Sequence, residues 1–274
     1  MGPYLEDLYS NNITLKLIKI FEIDMIMKKI GLLLALMIGA FVGVSAQEVE
    51  FTADRPGAST GPSVVSKGVI QWEQGVQYDG DGAKGSFTFS NTLLRYGLFD
   101  GVELRLSGDA FCYDAFGSWK SAFAGIGIGA KIRCCDEQGA IPAVAVLADF
   151  LIPSTGTKGF AAEYFTPSFY LLFENTLNDK LSLGYNVGAE WDGLTPSPAT
   201  FLAVGLGYSV TEDLGCFVES YNYLAKGGNA YCADFGMNYM LARKVQVDVA
   251  ANLDLCNPAQ SWSVSLGVAW QINK

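Results

Sequence analysis

From Ser261 to Asn273, apolar and polar positions alternate without a break. Trp262, Val264, Leu266, Val268, Trp270 and Ile272 form one set, and Ser261, Ser263, Ser265, Gly267, Ala269, Gln271 and Asn273 the other. A period of two puts the sets on opposite faces of a β-strand. The apolar set carries a tryptophan near each end, as in a strand whose outer face meets lipid and whose ends meet the headgroup layers.

The same alternation recurs along the chain, and strands are predicted over residues 69–79, 86–98, 102–113, 122–134, 143–152, 168–177, 181–191, 201–210, 215–223, 231–241, 245–254 and 261–273. Gln74 interrupts the apolar face of the first strand. Phe87 and Phe89 point to a bulge in the second. The strand over 215–223 is ambiguous, because Glu219 shares a face with Phe217 and Tyr221. The connections alternate in character. Phe99-Asp100-Gly101, Asn178-Asp179, Thr211-Glu212-Asp213 and Arg243-Lys244 are tight, whereas 153–166, 192–199 and 226–229 are longer. These features predict an all-β fold, a transmembrane antiparallel up-and-down β-barrel of about twelve strands over residues 68–274, with short turns on the periplasmic side. A soluble sandwich or a lipocalin-like barrel would alternate the other way, apolar inward.

The longest apolar run, 30–44, follows Lys28-Lys29 and ends at Val44-Ser45-Ala46. A positive flank, a short apolar stretch and a small-residue exit make a secretory signal peptide over 27–46, with cleavage expected after Ala46. Residues 1–26 read as an upstream extension, with Met27 the expected start. Between the signal and the barrel, 47–67 holds Pro56, Pro62, Gly57 and Gly61 around Asp54-Arg55, and reads as a periplasmic lead-in or a plug. The location expected is the outer membrane after signal cleavage. The expected partners are outer-membrane lipid, the barrel-insertion machinery and a small-molecule solute.

Composition narrows the chemistry. The net charge of −10 argues against nucleic acid as a partner, because a phosphate backbone requires a basic face. The chain has no histidine, which excludes Ser-His-Asp and Cys-His nucleophile systems and histidine-ligated metals. Neither an enzyme activity nor a cofactor is expected. The six cysteines show no metal-binding spacing and read as small apolar residues. Cys232 and Cys256 fall nearly opposite each other at the far end of a hairpin about Arg243, and are the pair placed to bridge.

The inward faces of the first four predicted strands carry Glu73, Arg95, Glu103, Arg105, Lys131 and Arg133. Lipid does not tolerate such charges, so they line the lumen, bracing it or setting which solutes pass. Later strands add Asp149, Glu174, Glu190, Asp234, Asp248 and Asp254, making that side acidic and disfavouring anionic sugars. Asp54 is expected near Arg95 or Arg105, and Arg55 near Glu73 or Glu103.

The lead-in FTADRPGASTGPSVVSKG and the following VIQWEQGVQY resemble the opening of the outer-membrane family named for the meta-pathway of phenol degradation. The matching residues are Asp54, Arg55, Pro56, Gly68, Gln71, Glu73 and Gly75. The stretch 93–106, GIGAKIR and VQVDVA are similar to it as well. Ala53 and Gly127 depart from its threonine and aspartate. The resemblance implies a barrel that passes small aromatic or other hydrophobic molecules. The alternative is a non-conducting barrel that is structural or displays its loops.

Overall fold

The computed structural model describes residues 51–81, 84–115, 117–162, 164–193, 195–256 and 261–272. The upstream extension, the signal peptide and the first residues of the lead-in lie outside the described residues. Twelve strands follow the lead-in: β1 (Ile70–Asp81), β2 (Lys84–Phe99), β3 (Val102–Asp114), β4 (Trp119–Cys135), β5 (Ala143–Leu151), β6 (Thr166–Asn178), β7 (Leu181–Glu190), β8 (Ala199–Ser209), β9 (Leu214–Ala225), β10 (Gly228–Ala242), β11 (Val245–Asp254) and β12 (Ser261–Gln271). Each pairs antiparallel with its neighbours in sequence, and β1 closes on β12, so the sheet has no free edge. Closure satisfies the backbone between strands, which is what a bilayer demands of a β-structure.

The outer wall is apolar. Leu106, Val204, Leu206, Val218, Met237 and Leu266 are between 41% (Leu206) and 56% (Leu266) exposed to the surroundings. Leaving such a belt in water forfeits about 25 cal/mol for each Å² of apolar surface, whereas hydrocarbon accepts it. Aromatic residues mark both borders. Trp72 stands opposite Trp270 near the end where the chain enters the barrel. Tyr78 and Trp262 pack in a tilted pair, 5.7 Å apart, toward the other end.

The β2 register against β3 shifts between Thr88 and Ser90, so the expected bulge falls at Phe89. Glu219 points inward with Tyr221, and it is Val218 that faces outward, which resolves the ambiguous strand. Two connections differ from expectation. β9 and β10 are joined by Lys226-Gly227 alone, because Gly228 at φ 144° and Asn229 already belong to the strand. The β4–β5 connection on the tight-turn side spans 136–142 and carries its own bridge between Gln138 and Ile141. The expected cysteine pair is also corrected. All six thiols are free, and the register sets Cys232 opposite Asp254, leaving Cys256 beyond the paired residues.

Candidate functional site: a lead-in threaded through the lumen

Five of the six charges predicted to face inward from the first four strands, Glu73, Arg95, Glu103, Arg105 and Lys131, meet in one buried cluster. Strand pairing sets Arg95 of β2 opposite Arg105 of β3, and Glu103 of β3 opposite Lys131 of β4. Two arginines side by side repel, and carboxylates separate them. Arg95 Nη1 reaches Glu73 Oε1 at 2.8 Å and Arg95 Nη2 reaches Glu103 Oε2 at 2.7 Å. Arg105 Nη1 lies 3.0 Å from Glu103 Oε1, and its Nε lies 3.4 Å from Asp149 Oδ1. The side chains of Glu73, Arg95, Glu103 and Lys131 are fully buried. Burial strengthens each attraction and makes any unpaired member costly.

The cluster closes around a residue of the lead-in. Asp54 pairs with Lys131 Nζ at 2.6 Å, with Arg95 Nη1 at 3.4 Å and with Arg105. Burial alone would raise the pKa of Asp54. Arg95, Lys131 and Arg105 outweigh it and hold the carboxyl well below the usual carboxylate range. The Asp54 amide in turn donates to both oxygens of Glu73, at 3.2 Å.

From Asp54 the lead-in makes a circuit of the lumen wall. Arg55 crosses to β11, where Nη2 lies 3.2 Å from Asp248 Oδ1, and its Nη1 donates to Asn91 Oδ1 on β2 at 2.9 Å. Gly75 of β1 and Gly267 of β12 make room for this side chain, since a Cβ on Gly267 would stand 2.6 Å from Arg55 Cζ. On β9, Glu219 accepts from the Ala58 amide and from both the amide and the hydroxyl of Ser59. Thr60 exchanges hydrogen bonds with the Asn186 amide group on β7, at 2.8 and 3.0 Å. The chain then returns to its starting wall. Lys131 Nζ donates to the carbonyls of Gly61 and Ser63, each at 3.1 Å, and the Val65 amide donates to Glu103 Oε2 at 2.9 Å. Val64 and Val65 end buried, and Gly68 N–H donates to the Gly97 carbonyl at 2.7 Å.

The structure thus brings together Glu73, Arg95, Glu103, Arg105, Lys131 and Asp54. Asp54 lies where expected. Arg55 does not: its partner is Asp248, because Glu73 and Glu103 are already saturated by Arg95, Arg105 and the backbone amides of Asp54 and Val65. Arg133 stands apart, its Nε 3.4 Å from Asp136 Oδ1 in the adjoining connection. Glu219 and Asn186 hold the far side of the lead-in. The inward position of Asn186 was legible in the sequence and that of Glu219 was ambiguous, and nothing local marks their partner as a segment more than a hundred residues away.

Beyond the lead-in the inner wall becomes aromatic. Phe201 and Tyr223 lie 5.2 Å apart, Tyr170 meets Phe201 edge-on at 5.6 Å, and Tyr221 meets Tyr223 edge-on at 6.0 Å. On the other side Phe160, from the long β5–β6 connection, packs on Phe111 and Tyr113 at 5.2 and 4.9 Å. Thr155 and Thr157 pin that connection to β4, their hydroxyls accepting from the amides of Ile126 and Phe123. A cavity of about 380 Å³ opens above the first group, lined by Glu190, Asp192, Thr195, Ala199 and Lys226 among others. A second, of about 180 Å³, lies between residues 53–61 and the wall carrying Glu174, Glu219 and Asn238.

Several solved structures share this fold. An outer-membrane channel of the COG4313 group from Pseudomonas putida F1 superposes with a TM-score of 0.58 at 12% identity, covering 80% of this chain and 99% of that one. The NanC porin gives 0.53 at 10% identity, over 73% and 100% of the two chains. The KdgM porin, solved in complex with disordered oligogalacturonate, gives 0.51 at 11% identity, over 75% and 99%. Among curated proteins none matches the sequence significantly. A family signature does match, over residues 53–272, from the lead-in to the final strand, and by it the chain belongs to the family described as "Putative MetA-pathway of phenol degradation".

Proposed function

We propose that the protein is an outer-membrane channel for small molecules, in which the lead-in is a plug that narrows the lumen. The observation that carries this is the circuit of residues 52–65, which touches β1, β2, β3, β4, β7, β9 and β11. A segment that merely ended at the barrel rim would need no such set of wall partners. In this reading Glu73, Arg95, Glu103, Arg105, Lys131 and Asp248 hold the plug through Asp54 and Arg55, and Arg133 lies at the inner mouth. Catalysis is no part of the reading, and no cofactor is invoked.

The cargo proposed is small, with an aromatic or other apolar part. The ring-lined outer half of the lumen supports it, since aromatic faces bind such groups through area and edge-to-face contact. The wall carrying Glu174, Glu190, Glu219 and Asp234 opposes anions such as oligogalacturonate, with which the KdgM porin was solved. The partners that follow are outer-membrane lipid around the apolar belt and the machinery that inserts barrels. Planar-bilayer recordings and liposome swelling test the proposal. Deleting residues 47–61 should raise single-channel conductance without abolishing insertion, and a conductance equal to that of the intact protein would refute the plug.

A further inference from the structure

Across β9, β10, β11, β12 and β1 the strand register lines up Glu219, Asp234, Asn252, Ser263 and Asp79 as direct neighbours. All point inward, so the wall carries a row of oxygen-bearing side chains. Asp234 is 4% exposed, and its Oδ1 is buried without a hydrogen-bond partner. It lines a cavity of about 160 Å³ together with Gln77, Tyr221, Asn252, Ser263 and Ser265, which is closed on one side by Pro56, Gly57 and Ala58 of the lead-in.

The charges at this place do not balance. On the β1–β4 side every buried carboxylate meets an arginine or a lysine. Glu219 and Asp234 stand side by side, both buried, and among the described residues neither pairs with Lys or Arg. Backbone amides and a hydroxyl from the lead-in supply hydrogen bonds to Glu219, and the Oδ1 of Asp234 receives none. A buried carboxylate beside a second one requires a positive charge or a proton. The cavity next to it offers oxygen donors: the Asn252 and Gln77 amide groups and the Ser263, Ser265 and Tyr221 hydroxyls. The Gln77 amide nitrogen donates to Asp79 Oδ1 at 2.6 Å. Oxygen donors around a buried carboxylate that no Lys or Arg meets match a hard cation, and the volume leaves room for bound water to complete its shell.

We propose that Asp234 and this oxygen row bind a monovalent alkali cation, wedged between the barrel wall and the lead-in. The bound ion offsets the charge of Asp234, while the lead-in amides and the Ser59 hydroxyl hold Glu219, and together they secure residues 56–59 against β9 and β10. The site stands whether or not the barrel conducts, because its primary readout is binding.

The experiment uses the purified, detergent-solubilised protein and thallium(I) as the probe for a potassium-class site. Crystals grown or soaked in thallium(I) should show an anomalous peak within coordination distance of Asp234, and Asp234→Asn should remove it. In parallel, replacing N-methylglucamine with potassium at matched ionic strength should raise the unfolding midpoint of the wild type by a few degrees, as a ligand specific to the folded state does. Asp234→Asn should abolish that increment. Where this variant fails to fold, Asn252→Leu, which removes a neutral donor and leaves the charge, should reduce it. A wild-type structure with no thallium peak at Asp234, a peak only elsewhere, or a potassium effect that survives in Asp234→Asn would each overturn the proposal. Failure of the site would leave the conductance test of the plug untouched.

Discussion

Asp54 Oδ1 lies 2.6 Å from Lys131 Nζ, and this one contact ties the lead-in to a fully buried cation on β4. Removing the charge takes from Lys131 its ion-pair partner and from Arg95 and Arg105 one of theirs. Breaking a buried ion cluster in this way costs about 3–5 kcal/mol. Asp54→Asn, which keeps the shape, should therefore lower the unfolding midpoint and raise channel conductance by freeing the lead-in. Unchanged values in both measurements would show that Asp54 does not hold the segment.

The same cluster sets a pH dependence. Asp54 is held below its ordinary value of 3.8 by Arg95, Lys131 and Arg105 acting against burial. A carboxyl lowered in the folded state contributes stability above its unfolded pKa and loses it only as pH falls through the lower, folded one. Docking through Asp54 is thus retained in full at mildly acidic pH. Limited proteolysis of residues 51–61 should proceed at the same slow rate at pH 7 and about pH 5, while the Asp54→Asn protein is cut faster at both.

Arg55 offers a separate handle. Its guanidinium joins β11 to β2 through Asp248 and Asn91, in a slot left by Gly75 and Gly267. Arg55→Ala and Asp248→Asn should each raise solute flux. Because the two groups act as one contact, the double variant should fall short of the sum by roughly 0.5–3 kcal/mol in a cycle of unfolding free energies. Additive effects would mean that the pair contributes nothing together. Gly267→Ala should mimic Arg55→Ala, since its methyl group would occupy the place of the guanidinium.

The barrel was legible because a lipid-facing wall imposes a strict period of two, and strands such as β7, β11 and β12 show it cleanly. The charged half of the site was legible for the same reason: Glu103, Arg105 and Lys131 can only face inward. The pairing within it was not. Asp54 had complementary charges on the nearest wall and went there, whereas Arg55 went to Asp248, a choice decided by which carboxylates were already saturated. The aromatic half was not legible, because Tyr221 shares the parity of Glu219, which left that strand ambiguous, and a ring facing the lumen looks in sequence like one facing lipid. The bridge between Cys232 and Cys256 failed on a register offset of two residues, which spacing alone does not fix.

Glu219 anchors the far side of the circuit. Its carboxylate gathers the amides of Ala58 and Ser59 and the Ser59 hydroxyl. Glu219→Gln removes the charge and presents donors to donors, at a cost of about 1.5–3 kcal/mol for hydrogen bonds to a charged group. Hydrogen exchange at Ala58 and Ser59 should accelerate about tenfold or more, at 1.4 kcal/mol per factor of ten, while the amides of Gly68 and Val69 stay protected. Equal acceleration at all four positions would indicate general loosening rather than release at Glu219.

The outer half of the lumen tests the cargo rather than the plug. Phe201 is 3% exposed and lies at the centre of the ring cluster, in contact with Tyr170, Tyr221 and Tyr223. Tyr221 lines the cavity beside Pro56, Gly57 and Ala58, whereas Tyr170 and Tyr223 do not, so these two can be altered with the plug in place. A binding surface for apolar or aromatic groups predicts a selective change. Tyr223→Ala, which removes one rim ring and spares the buried centre, should slow liposome entry of small aromatic solutes several-fold and leave entry of a polar solute of equal size unchanged or faster. A plain aqueous pore predicts the opposite ordering, because a smaller side chain widens the passage for every solute alike. Faster entry of both solutes in the Tyr223→Ala protein would therefore reject an aromatic-selective lumen, even if the deletion of residues 47–61 had already established that the barrel conducts.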